Sequence, residues 1–430
     1  MIRDLLLETY GKYLGGDLVN TVLSKNEVMV HACGKIDGYE YTNSVDALDM
    51  AIKKGGRYIE VDLSLTKDER VVCVHKWDKN TFERLGIAYR TEGLSYDEFM
   101  KSKYYDNYST MDLDMIIDYL KKYEDLYIML DVTKDLDEED TKKIYELIIK
   151  GFEENKKLLD RVVIEGGSIE MFEAINSIFD FPNKHFYLTG KDINEERVDE
   201  ILEYIKNDGH FVSVSSHKKN VKVDIIRKVH KLGIVYITYP INEPAEALKY
   251  FNFGVDIICS SELTKEDFLK EIENMSHEDK VRLFFEKDVF AVDTAGAYIV
   301  SISEDEAECA MKVEHKHING SGIVQGGALF TLADFAFGVL ADSKGYPQVS
   351  VSNTISYLRP GEMGDILTAV ARVVSKGNKI CFYKVDIYNQ DNKHLATMDV
   401  TGYIKTLNIK IAFFIIVLII KMLYNDSQYS

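Results

Sequence analysis

The chain has 430 residues, too many for one ordinary hydrophobic core, so two domains are expected. Its 46% hydrophobic and 29% charged residues exclude a disordered chain, and a net charge of −19 argues against nucleic acid or an anionic membrane face as partner. Five scattered cysteines (Cys33, Cys73, Cys259, Cys309, Cys381) with no CxxC pair exclude a disulfide framework and a cysteine zinc site, and point to reduced thiols in the cytoplasm.

In chain order, residues 1–26 begin MIRDLLLETYGKYLGGDL, an amphipathic helix without the apolar core of a secretory signal. From 27 to 270 short apolar strands alternate with amphipathic helices: EVMVH, RYIEVD, VVCVH, YIMLD, RVVIE, HFYLT, FVSVSS, IVYIT and VDIICSS. Such alternation predicts an α/β parallel sheet, and eight or so units predict a closed, TIM-like barrel. One link, LSLTKDER before Val71, is too short for a crossover helix, so the direction of that strand stays open.

Barrel enzymes carry their chemistry at strand ends. Glu60 and Asp62 are two apart on one strand, so both face the same way, with Tyr58, while Ile59, Val61 and Leu63 face the helices. Two carboxylates held together call for a hard divalent cation. His31 and His75 end neighbouring strand candidates and can act as acid and base across a P–O bond. HACG at 31–34, YTNSVDAL at 41–48, IEVDLSLTKDERVVCVH at 59–75, YITYPIN and GVDIICSS resemble the glycerophosphodiester phosphodiesterase and phosphatidylinositol-specific phospholipase C superfamily. The resemblance implies His31 and His75 as the acid/base pair, Glu60 and Asp62 as ligands of Mg or Ca, and a glycerophosphodiester as substrate. Asp131, as a further metal ligand, and Lys134, as a substrate-binding lysine, fall where the family has such groups. The chain departs from the pattern at Ala32 (usually arginine), Thr42 (usually acidic) and Lys76 (usually acidic).

Residues 264–283 are charged and helical without a Pro or Gly hinge. From 284 to 405 the pattern becomes a short helix, two strands, a helix, and four alternating strands, an α+β design with one long helix against an antiparallel sheet. That helix, beginning at Gly326 and Gly327, is apolar on nearly every face, interrupted only by Thr331 and Asp334. A carboxylate in such a helix needs a partner or a task. HINGSGIVQGGALFTLADFAFG, ISYLRPGEMGDILTAVARVVSKGNK and YKVDIYNQD resemble the hotdog-fold thioesterases of the phenylacetate-pathway type. By this resemblance Gly326 and Gly327 bind the carbonyl of an acyl-CoA thioester, Asp334 activates water or attacks directly, and Asn319 orients the substrate, with no cofactor.

Gln325 stands where the family usually has histidine; its amide can donate to a thioester oxygen but cannot titrate. Gly327 and Asp334 lie seven residues apart, about 10 Å along a helix, so one reacting carbon reaches both only if two antiparallel copies share the site. A homodimer is therefore expected. His315 and His317 lack a third ligand and read as a solvated strand edge. The tail at 409–424, around IAFFIIVLII, is about half a membrane span and suggests at most a weak membrane contact. A different class of answer is a non-catalytic acyl-CoA-binding regulator on a degenerate barrel scaffold.

Overall fold

The computed structural model describes residues 21–23, 25–132, 138–343 and 348–404. Most of the expected N-terminal helix, the apolar tail and Lys134 lie outside the described residues. The chain divides into two compact units between Asn274 and Met275.

In the first unit eight parallel strands close on themselves: β1 (Val28–Val30), β2 (Tyr58–Leu65), β4 (Tyr127–Val132), β5 (Val162–Gly166), β6 (Lys184–Leu188), β7 (Phe211–His217), β8 (Val235–Tyr239) and β9 (Ile257–Ser260). Pairing of β1 with both β2 and β9 completes the barrel. The short link after β2 is a hairpin: β3 (Val71–Cys73) runs antiparallel to β2. In the turn, Thr66 N–H donates to the Arg70 carbonyl and Glu69 takes a positive φ of 60°.

Strand parity decides what fills the barrel. Tyr58 packs inside with Met29, Met129, Val163, Ile237 and Ile257, while Ile59, Val61 and Leu63 are buried from the other side. A polar layer joins the apolar one, where His185 bonds Ser213 Oγ at 2.7 Å and Ser215 Oγ at 2.8 Å. Glu60 and Asp62 continue the inward series of β2 toward the carboxyl ends of the strands.

The second unit wraps a six-stranded antiparallel sheet around one helix, Gly326–Asp342. Its strands are β10 (Ala297–Ile302), β11 (Glu306–Lys312), β12 (Gln348–Tyr357), β13 (Ile366–Lys376), β14 (Ile380–Tyr388) and β15 (His394–Ile404), in the spatial order β10-β11-β13-β14-β15-β12. In β14, Cys381, Tyr383, Val385 and Ile387 face the helix, and Ile380, Phe382 and Lys384 face out. Leu332, Ala333, Ala336, Val339 and Leu340 of the helix are all but inaccessible. Burying each leucine or valine contributes roughly 1.5–3 kcal/mol, so a charge at Ala336 would break the unit. Among the described residues, β12 is an edge strand paired only with β15.

Candidate active sites

In the barrel, Glu60 and Asp62 from β2 meet Asp131 from β4, which lies directly across from Asp62 in the ladder. One oxygen from each of the three carboxylates falls within 4.8 Å of the others. Glu60 and Asp62 are each 3% exposed. Burial, then the charges of Asp62 and Asp131, push the Glu60 carboxyl well above the usual range. Burial also raises Asp62, opposed by His75 and by a hydrogen bond from Asn43.

The loop after β1 holds these carboxylates from one side. Ala32 N–H donates to Glu60 Oε2 at 2.6 Å, and Asn43 Nδ2 donates to Asp62 Oδ2 at 2.7 Å. Both donors sit at positive φ, 47° and 44°, as does Tyr41 at 58°, so backbone strain is concentrated at this site. Ser44 ends the loop by capping the helix Val45–Lys53, its Oγ accepting from Ala47 N–H. Thr42, in the usual acidic position, bonds Ser44 Oγ at 2.9 Å and offers no carboxylate.

These residues fit a hard divalent ion. Glu60 Oε1 is buried without a partner among the described residues, and three acidic oxygens in so small a space repel one another unless a cation joins them.

His31 Nε2 lies 4.0 Å from Glu60 Oε2, and its Nδ1 lies 3.3 Å from Ser261 Oγ. Burial lowers its pKa. His75 is exposed. The two histidines are not on adjacent strands: β1 and β3 flank β2, and Tyr41 stands between the rings, 4.8 Å from His31 and 6.0 Å from His75. The hairpin that reverses β3 removes it from the parallel series and still brings His75 to the same mouth.

Three further groups complete the mouth. Glu165, on the inward face of β5 two residues past Val163, acts electrostatically on Glu60 and Asp62. Parity with Val163 was its only signal in the sequence. Arg84 lies over the Tyr41 ring at 5.5 Å, donates to the Tyr41 carbonyl at 3.5 Å, and forms no ion pair among the described residues. Tyr39 stacks on Tyr105 at 3.8 Å beside Tyr108. Nothing in the local sequence marks Arg84 or Tyr105, because both arrive from the segment after β3.

In the second unit, Asp334 is half-buried on the central helix. Its Oδ1 accepts from Asn353 Nδ2 of β12 at 2.9 Å. Burial raises its pKa, opposed by the Asn353 bond and reinforced by Asp288. Gln325 is the helix N-cap, and its Oε1 accepts the Gly327 N–H. The donor expected for a thioester oxygen is therefore engaged within the chain. A Cβ on Gly326 would meet the Tyr357 ring at 3.0 Å, and Tyr357 OH donates to the Gly326 carbonyl at 3.1 Å. Asn319 Oδ1 accepts from Ser321 and Ile323 N–H, closing the loop that precedes the helix. His315 and His317 lie in a 3-10 turn rather than on a strand; His317 is buried, its Nδ1 accepting from Glu314 N–H at 2.9 Å. That local bond wins over strand alternation.

A parallel barrel with three carboxylates at its mouth, joined in one chain to a sheet wrapped around a helix bearing a half-buried aspartate, defines a two-domain hydrolase. The model of the Glycerophosphoryl diester phosphodiesterase family matches residues 37–265, and that of the Thioesterase superfamily matches residues 321–396. Acyl-coenzyme A thioesterase PaaI of Escherichia coli is 38% identical over 124 residues, which is 28% of this chain and 88% of that protein. Human acyl-coenzyme A thioesterase 13 is 34% identical over 94 residues, 21% of this chain and 67% of that protein. The solved E. coli PaaI structure aligns at 33% identity, covering 31% of this chain and 97% of its own, with a TM-score of 0.29. The chain belongs to the glycerophosphoryl diester phosphodiesterase family through its first unit and to the thioesterase superfamily through its second.

Proposed function

We propose that the chain hydrolyses acyl-CoA thioesters in the unit spanning 284–405 and glycerophosphodiesters in the barrel spanning 27–270. For the barrel, the supporting observation is the convergence of Glu60, Asp62 and Asp131 beside two histidines. These three carboxylates would hold Mg or Ca, which supplies Lewis-acid stabilisation of phosphoryl oxygens when bound. The chain's own residues move the protons. His31, kept neutral by burial, accepts a proton at Nε2 from the attacking hydroxyl, and His75 across Tyr41 donates one to the departing alkoxide. Arg84, over the Tyr41 ring, adds countercharge for the phosphate. His31→Ala should abolish release of glycerol phosphate; turnover at the wild-type rate would sink the acid/base assignment.

For the second unit, the supporting observation is Asp334, a carboxylate raised by burial in the middle of a mostly apolar helix. It removes a proton from water or attacks directly, while the oxyanion donor, Gly327 N–H, comes from the helix start of a second copy. The exposed β12 edge next to Asn353, with Val351 58% and Tyr357 53% exposed, suits pairing with that copy. A thioester oxygen must displace Gln325 Oε1 from the Gly327 N–H. Purified protein should release free thiol from acyl-CoA, and Asp334→Ala should not.

The engaged Gly327 N–H favours a second reading, a regulator that binds acyl-CoA without cleaving it. Stabilisation by CoA thioesters with no thiol release would select it.

A further inference from the structure

We infer that Tyr187, His217 and Tyr239 form the subsite for the alcohol half of the phosphodiester, and that the alcohol it selects carries a quaternary ammonium group, as a choline ester of glycerol phosphate does. This deepens the phosphodiesterase reading of the barrel and rests on it.

Strand parity assigns the last inward residue of each strand. Val163 lines the barrel interior, so Glu165 is the last inward residue of β5. His185 belongs to the interior polar layer, so Tyr187 holds that place on β6. In the ladders Tyr187 is level with Ser215, Ile237 with Ser215, and Tyr239 with His217. Val235, Ile237 and Tyr239 all touch the interior cluster. The rims of β6, β7 and β8 therefore end in three rings, each half-buried. Around the barrel β7 is reached from β2 through β4, β5 and β6 one way and through β1, β9 and β8 the other. The rings thus face Glu60 and Asp62 across the mouth of a barrel too narrow for much else. A phosphoryl group held between the carboxylates and the two histidines directs one ester arm onto them.

The shape and charge of that wall choose the alcohol. His217 and Tyr239 meet at 5.9 Å with ring planes 87° apart, a corner rather than a shelf. His217 is held in place, its Nδ1 accepting from Lys219 N–H at 3.2 Å. A Cβ at Gly167 would collide with Tyr187 Cζ, so glycine there lets the Tyr187 ring lie over the end of β5, one inward step above Glu165. Ring faces set at an angle attract a compact cation, whereas a sugar ring stacks on one flat face. Of Glu165, Tyr187, His217 and Tyr239, one is an acid and none is a lysine or arginine. Lys218, the next residue after His217, is paired with Glu246 at 2.9 Å. A trimethylammonium group needs no hydrogen bonds, so rings with a carboxylate beneath them suit it.

Initial rates on the choline, ethanolamine and glycerol esters of glycerol phosphate, with the full-length protein and Mg, test this. In the wild type kcat/KM should be about 10-fold higher for the choline ester than for the glycerol ester, with the ethanolamine ester between. Tyr187→Leu and Tyr239→Leu should each cut that ratio by about 5-fold, mostly through KM for the choline ester. Tyr187→Phe, which keeps the ring, should hold the ratio. Glu165→Gln should cut it while keeping the Mg-dependent rise in melting temperature, which damage to the metal centre would abolish. Equal kcat/KM for the three esters in the wild type, or equal losses on all three in both leucine variants, would overturn the subsite. If no ester is cleaved, the phosphodiesterase reading falls and melting of the wild type decides the subsite: a rise with the choline ester alone upholds it, and equal shifts or none overturn it.

Discussion

At the scale of single residues, both sites spend burial on carboxylates, to different ends. Glu60 and Asp62 are enclosed by the barrel and tied by Ala32 and Asn43, leaving Glu60 Oε1 for a ligand. Melting of the wild type should therefore rise with added Mg or Ca. At a concentration of 100 times Kd the gain is about 2.7 kcal/mol. Glu60→Gln should melt at one temperature with or without the ion; a metal-dependent shift retained in that variant would remove Glu60 from the ligand set. Arg84 is half-buried against Tyr41, and circular dichroism of the variant checks that the barrel stays folded. Arg84→Gln should raise KM for a phosphodiester by about 10-fold, the worth of one charge-assisted contact of roughly 1.5 kcal/mol, with a smaller change in kcat. Initial rates over a substrate range check this, and Arg84→Lys should fall between.

At the scale of elements, the central helix of the second unit opens on glycines and closes on Asp342. An acidic residue at a helix C-terminus opposes the macrodipole, and this one is also half-buried, its desolvation raising its carboxyl from 3.8 to about 6. The folded chain thus keeps a proton that the unfolded chain gives up between about pH 4 and 6. The stability that this proton represents is present in acid and is lost as pH rises through that window. Asp342→Asn keeps the acceptor for Gln348 N–H and removes the loss. It should leave melting unchanged near pH 4 and stabilise the chain by about 1–2 kcal/mol at pH 8, read by thermal unfolding at both values. Equal shifts at the two values would refute the assignment. The β2–β3 hairpin is the matching case in the barrel: a chain reversal at Thr66–Arg70 carries His75 to the mouth that His31 reaches from β1.

At the scale of the whole molecule, each proposed set of catalytic groups belongs to one unit, so the proposed activities should separate. His31→Ala should lose phosphodiester turnover and keep thiol release, and Asp334→Ala should do the reverse. The proposed sharing of one site between two copies adds a sharper expectation. Gly327→Pro removes the N–H in the first helical turn, where proline is tolerated. Gly327→Pro and Asp334→Ala proteins, each inactive alone, should regain up to about a quarter of wild-type thiol release when their subunits are exchanged, because a mixed twofold dimer restores one of its two sites. No recovery after verified exchange would place Gly327 and Asp334 in separate roles. Among the described residues, no helix is long and apolar enough to cross a membrane.

What the sequence determined by itself was local and periodic. The two-residue spacing of Glu60 and Asp62 set their common face, and the apolar run from Gly327 set a buried helix with Asp334 inside it. The tertiary structure decided what no periodicity encodes. It set Asp131 across from Asp62, closed β1 onto β9 so that Ser261 reaches His31, and reversed β3. It also brought Arg84 to Tyr41 and Asn353 to Asp334, and turned Gln325 onto the Gly327 N–H. The physical reason is that spacing along one strand or helix fixes which face a side chain takes, whereas its partner on another element depends on strand order, register and closure, which are properties of the packed chain.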